Sequence, residues 1–175
     1  MKLMMAVLAL LVAWFMPTPA FAKATFTVLA RGAGFSDGTT AVPQGGNDAT
    51  TLGEQRRAAV QRAADLWGAR LDSAVPIVLD VVYRKFGCEG GAAVLAAAGS
   101  VSLFSGMNAP DADPALWYPG ALANRLAGRD LAPDEPDIQV LINTSIDDEC
   151  RSSFGGFYYG FDGKGGNRID LVEVI

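Results

Sequence analysis

The chain holds 175 residues, with 14 Lys and Arg, 19 Asp and Glu, and no histidine. Its net charge of -5 argues against a nucleic-acid partner, because a phosphate backbone recruits a basic face. Without imidazole, a Ser-His-Asp triad, a Cys-His pair and every histidine-bearing zinc site are excluded within these residues.

At the amino terminus, Lys2 precedes the apolar run Leu3 to Phe15, then Pro17, Pro19 and the small-x-small triplet Ala20-Phe21-Ala22. This is the layout of a cleavable secretory signal peptide, and the run is short for a membrane span of about 20 residues. Cleavage is expected after Ala22, giving a mature chain over residues 23–175 that is secreted or periplasmic and has no membrane partner. Loss of Lys2 takes the net charge from -5 to -6. The remaining length suits one domain of about 100–200 residues.

Thr25 to Ala30 mixes β-branched and apolar residues like a first strand, and a Gly/Pro/Asn-rich loop follows to Thr50. Thr51 and Glu54 have capping-box spacing. Beyond them Leu52, Ala59, Ala63, Leu66, Trp67 and Leu71 recur at helical intervals, with Arg56, Arg57, Gln61, Asp65 and Arg70 placed mostly on the opposite, solvent side. Val75 to Arg84 is a short Val/Ile/Leu/Tyr run that reads as a buried strand. An Ala-rich stretch at 92–98 and an apolar segment at Val101 to Phe104 come next. A helix is predicted from Tyr118 to Ala127, closed by Gly128, and Asp137 to Thr144 reads as another strand. Residues 152–167 are Gly-rich and aromatic, and a helix start is predicted at Asp170. The apolar end, Ile169 to Ile175, reads as the opening of a helix expected to continue past Ile175.

Cys88 and Cys150 are the two cysteines, and in an oxidising compartment such a pair reads as a disulfide. Phe157, Tyr158 and Tyr159 are candidate substrate-groove aromatics, although a sheet edge packing them inward would give the same pattern. Asp162 and Asn167 flank a Gly-rich turn that could offer oxygens to calcium, with Lys164 spoiling the match to an EF-hand loop. Asn143-Thr144-Ser145 fits a glycosylation sequon. The carboxylates show no spacing that singles out an acid–base pair, and no catalytic or metal-binding residue is assigned.

The order of several segments resembles a family of secreted bacterial zinc metallopeptidases of the zincin type. The segments are Gly34 to Thr39, Gly45 to Asn47, Thr50 to Arg57, Ala63 to Gly68, Tyr118-Pro119 with Ala121 to Asn124, and Tyr158 to Gly163 leading to Asp170-Leu171-Val172. In that family the last segment opens a helix bearing His-Glu-x-x-His, in which two imidazoles one turn apart bind zinc and the Glu activates water. The resemblance therefore implies an α+β fold: a zincin-like amino-terminal subdomain with a mixed, twisted β-sheet backed by a long helix, incomplete at its C-terminus. Asp170, Leu171 and Val172 would be the start of the active-site helix. Zinc would belong only to a full-length homologue, whose substrate would be a protein or peptide, and the chain as given would be inactive. The alternative is a non-catalytic secreted module binding through its Gly-rich aromatic loop. A carboxylate-based hydrolase has no motif behind it.

Overall fold

The computed structural model describes residues 22–175, so the predicted signal peptide lies outside the described residues except for Ala22. The architecture is mixed α+β. Four strands form the main sheet: β1 (Phe26–Arg31), β2 (Ile77–Arg84), β3 (Ala96–Ser100) and β6 (Ile138–Asn143), in the spatial order β1-β2-β6-β3. The first three of that order are parallel, and β3 runs antiparallel along the edge, pairing Ala96 with Ile142 and Ser100 with Ile138. Two small ribbons complete the strands. One joins β4 (Leu103–Phe104) to β5 (Tyr118–Pro119), and the other joins β7 (Phe157–Tyr158) to β8 (Ile169–Asp170). The helices are α1 (Leu52–Gly68), α2 (Gly120–Ala127), and the single turns α3 (Arg151–Phe154) and α4 (Leu171–Val174).

Successive strand residues point to opposite faces, so Ile77, Leu79, Val81 and Tyr83 of β2 share one side of the sheet. They are buried with Val140 and Ile142 of β6 and with Ala59, Val60 and Ala64 of α1 in a single core. Small side chains on α1 let its backbone come close to its neighbours. A Cβ on Gly53 would stand 2.6 Å from the Phe35 carbonyl oxygen and 2.8 Å from the Asp37 nitrogen. The capping box is present as predicted: Thr51 Oγ1 accepts from the Glu54 N–H and the Glu54 carboxylate accepts from the Thr51 N–H. At the other end of the chain the Asp170 side chain caps α4 by accepting from the Val172 and Glu173 N–H groups, with Leu171 fully buried beneath. α4 packs against α1, and the Trp67 indole donates to the Ile175 carbonyl at 3.2 Å.

The burial face of α1 differs from the sequence reading. Arg56 is 5% exposed and Gln55 1%, whereas Trp67 is 46% and Leu71 40% exposed, and the helix ends at Gly68. The inward stripe runs Gly53, Arg56, Val60, Ala63 and Ala64; Trp67 falls on the same face but in the last turn, where it stays half-exposed, and Leu71 lies beyond the helix end.

Cys88 and Cys150 form a disulfide with Cα atoms 6.0 Å apart, tying the segment after β2 to the turn after β6. Asn143, at the end of β6, holds the same region from inside. Its amide nitrogen donates to the Gly87 and Val94 carbonyls at 3.1 and 2.9 Å, and its oxygen accepts from the Phe86 and Ser145 N–H groups. The residue is completely buried.

Candidate functional site

The parallel strands β1, β2 and β6 end on the same side of the molecule, where the chain departs through a tight turn after β1, through Arg84 after β2, and through a 3-10 turn at Thr144–Asp147 after β6. Ligand crevices in open α/β sheets form outside the carboxyl ends of such strands. Here α1 inserts Arg56 into that space. Its Nε donates to the Tyr159 hydroxyl at 3.1 Å, its Nη1 to the Gly34 carbonyl at 3.1 Å and to Asp37 Oδ2 at 3.2 Å, and its Nη2 to Asp147 Oδ2 at 2.9 Å. Tyr159 in turn donates to Asp147 Oδ2, and the other oxygen of Asp147 accepts from the Phe157 N–H at 2.8 Å. The guanidinium also lies over the Tyr83 ring, 4.9 Å from its centroid.

Electrostatics follow from this enclosure. Burial alone would make the Arg56 guanidinium easier to deprotonate, but Tyr159 and Asp147 outweigh it and raise its pKa. Hydrogen bonds from Thr39, with Arg56 behind them, hold Asp37 below the usual carboxylate range. Burial pushes the phenols of Tyr83 and Tyr159 well up, and the Tyr83 hydroxyl has no hydrogen-bond partner among the described residues. Five hydrogen bonds from four segments of the chain meet here, so the cluster is first a clamp. One cation here faces two carboxylates, Asp37 and Asp147, and the donor hydrogens of Arg56 and Tyr159 are taken up within the cluster.

Beside the clamp opens a cleft of 390 Å³ whose walls include Val42, Leu52, Phe157, Tyr159 and two arginines, Arg151 and Arg168. The three aromatics singled out in the sequence are divided by the strand's alternation. Phe157 and Tyr159 contribute to this wall, whereas Tyr158 turns the other way and donates to Asp162. All three are at most 3% exposed, so they do not form an open aromatic face. Asp162 Oδ1 is already engaged by the Tyr158 hydroxyl and by the Lys164 N–H at 3.0 Å, and no hydrogen bond joins it to Asn167. No group of three or more His, Cys, Asp or Glu able to hold a metal ion occurs among the described residues.

A second accessible surface runs along β3. As the edge strand it has no strand partner on its outer side among the described residues, and Ala97, Ala98, Gly99 and Ser100 are exposed. A shallow 300 Å³ depression follows it. At its end Leu103 and Trp117, carried by and beside the β4–β5 ribbon, are 57% and 67% exposed.

Periodicity puts Arg56 opposite the apolar residues of α1 and so misses it, and Asp37 and Asp147 lie outside the helices and strands that periodicity reads. The available signal was positional: Arg56 lies three residues after Gly53 and four before Val60, on the stripe that α1 buries. No protein-family model matches the chain, and neither a curated protein nor a solved structure matches it.

Proposed function

We propose that this chain is the amino-terminal, peptide-docking part of a secreted zinc-endopeptidase-like protein, and that it has no peptidase activity by itself. The observation that carries this reading is the open edge of β3. An unpaired antiparallel strand of small residues accepts an extended peptide as a further strand, with main-chain hydrogen bonds supplying affinity. Leu103 and Trp117 offer apolar surface at the end of that track. The mixed sheet backed by α1 and the Asp170-capped start of α4 beside it agree with the segments that resemble zincins.

Zinc does not fit the residues present. There is no imidazole, and both thiols are committed to the disulfide. A zinc of the His-Glu-x-x-His kind would have to be held by residues other than these, and no hydrolytic step is assigned to this chain. The disulfide suits an oxidising compartment, in keeping with export. The rival reading, a binding module built on the Gly-rich aromatic segment, draws no support from Phe157, Tyr158 and Tyr159, which are almost entirely buried.

Hydrogen exchange tests the proposal. In excess unfolded casein, amides within residues 96–100 exchange more slowly, and the casein stays intact with or without a chelator. Unchanged exchange along β3 defeats the docking reading, and chelator-sensitive cleavage defeats the assignment of zinc chemistry to other residues.

A further inference from the structure

The cleft beside the Arg56 clamp carries two arginines, Arg151 and Arg168, that make no ion pair among the described residues. Arg151, at the first position of α3, has no side-chain hydrogen bond and no carboxylate within ion-pair distance among the described residues. Arg168 is held in place without being neutralised: its Nη1 donates to the Gln44 side-chain oxygen at 2.7 Å, and its guanidinium stacks on the Tyr158 ring at 4.6 Å. The one carboxylate in the wall, Asp147, is spent on Arg56, Tyr159 and the Phe157 N–H. Gly156 keeps the passage between Asp147 and Arg151 open, since a Cβ there would stand 3.3 Å from Asp147 Oδ1 and 3.8 Å from Arg151 Cζ.

In a chain of net charge -5, two guanidiniums without ion-pair partners among the described residues meet around one 390 Å³ cleft. Within the remaining wall Val42 (80% exposed), Leu52 and Phe157 form an apolar stretch beside Gln44 and Gln55. A guanidinium matches a carboxylate bidentately, and the apolar wall suits a hydrocarbon body next to that carboxylate. We infer that this cleft is a binding site for a small organic carboxylate with an apolar side chain, the chemistry presented by the last residue of a peptide. Arg168 is the pre-positioned contact and Arg151 the exposed one that turns onto the anion. The site lies at the carboxyl ends of β1, β2 and β6, apart from the β3 edge, and does not rest on the peptidase reading.

The test is calorimetric titration of the disulfide-intact chain with N-acetyl-leucine, N-acetyl-leucinamide and inorganic phosphate, with amide shifts of Gly156 and Phe157 followed by NMR. Saturable binding is expected for N-acetyl-leucine, weakening with salt, with little for the amide and weaker binding for phosphate. Arg151→Gln, an exposed change that leaves the clamp intact, is expected to weaken binding about tenfold, the value of one charge-assisted hydrogen bond. Arg168→Lys keeps the charge but loses the fork and is expected to weaken it by a similar factor. No saturable binding, equal binding of the amide, or unaltered affinity in Arg151→Gln with an unchanged melting temperature overturns the assignment. Phosphate binding as tightly as N-acetyl-leucine overturns the choice of ligand class.

Discussion

Replacing Arg56 with Met removes the cation from the clamp while keeping an unbranched side chain of similar reach. The loss has a definite physical content. Asp147, with its side chain 11% exposed, keeps its carboxylate and the donors from Tyr159 and Phe157 but loses the guanidinium 2.9 Å away. The Gly34 carbonyl loses its donor, and Asp37 loses its ion pair. Removing one partner of a buried pair costs about 3–5 kcal/mol, a large part of the 5–15 kcal/mol typical of a whole domain. For a chain of this size the melting temperature should fall by about 10 °C. Urea unfolding at pH 7, read by tryptophan fluorescence and by circular dichroism, measures the difference from the midpoint at constant slope. Asp147→Asn should also destabilise, and the double variant should lose less than the two single losses combined, because the two groups are coupled. A loss below about 1 kcal/mol in Arg56→Met, with strict additivity in the double variant, would refute the view that this pair holds the strand ends together.

Alkali should unfold the chain through its phenols. Tyr83 and Tyr159 have pKa values raised above the ordinary 10.0 by burial, so the stability they contribute is complete below that pH and is lost as pH rises through the folded values. Their tyrosinate absorbance is expected to appear together with the loss of circular dichroism above pH 10, and phenol ionisation well ahead of unfolding would contradict the buried placement. Cys88→Ser and Cys150→Ser should lower stability equally, by about 4 kcal/mol for a closed segment of 62 residues, as judged from urea midpoints under oxidising conditions. Clearly unequal losses argue against a single shared bond. Gly53→Ala, which in an open helix would be stabilising, should here cost about 1–3 kcal/mol because its methyl meets the Phe35 and Asp37 backbone; an unchanged or raised melting temperature would show that the contact can relax.

Local chemistry was readable in the chain, and long-range partnership was not. The Thr51 cap, the Gly128 stop with φ 66, the Asp170 cap and the runs that became β1, β2 and β6 each depend on residues within a few positions of one another. The Ala-rich stretch at 92–98 gave no strand signal of its own, since alanine has little preference for a pleated surface. It becomes part of β3 by pairing with β6, some 40 residues away in sequence. Arg56 was placed on the wrong face because an arginine is rarely buried unless paired, and its partners at Asp37 and Asp147 are distant in sequence. Trp67 and Leu71 erred the other way: their spacing suited the core, but the helix ends before the sheet can cover them. Of the three candidate groove aromatics, Phe157 and Tyr159 line the cleft and Tyr158 faces Asp162. The arginines that line the cleft with them carried no pattern, because Arg151 and Arg168 meet through the fold alone.

The buried carboxamide at the end of β6 has a consequence for how the protein can be made. An export pathway that attaches sugar to Asn-x-Ser/Thr would find an acceptor in Asn143-Thr144-Ser145. The nitrogen it needs is the same one that clasps Gly87 and Val94 in the finished fold. Oligosaccharide transfer and folding therefore compete for a single atom, and the modified chain has nowhere to put its glycan. In a glycosylating host, sugar-bearing molecules are expected among protease-sensitive material without the Cys88–Cys150 bond; a glycoform that is compact and melts like the unglycosylated protein would show that this interior can open to admit one.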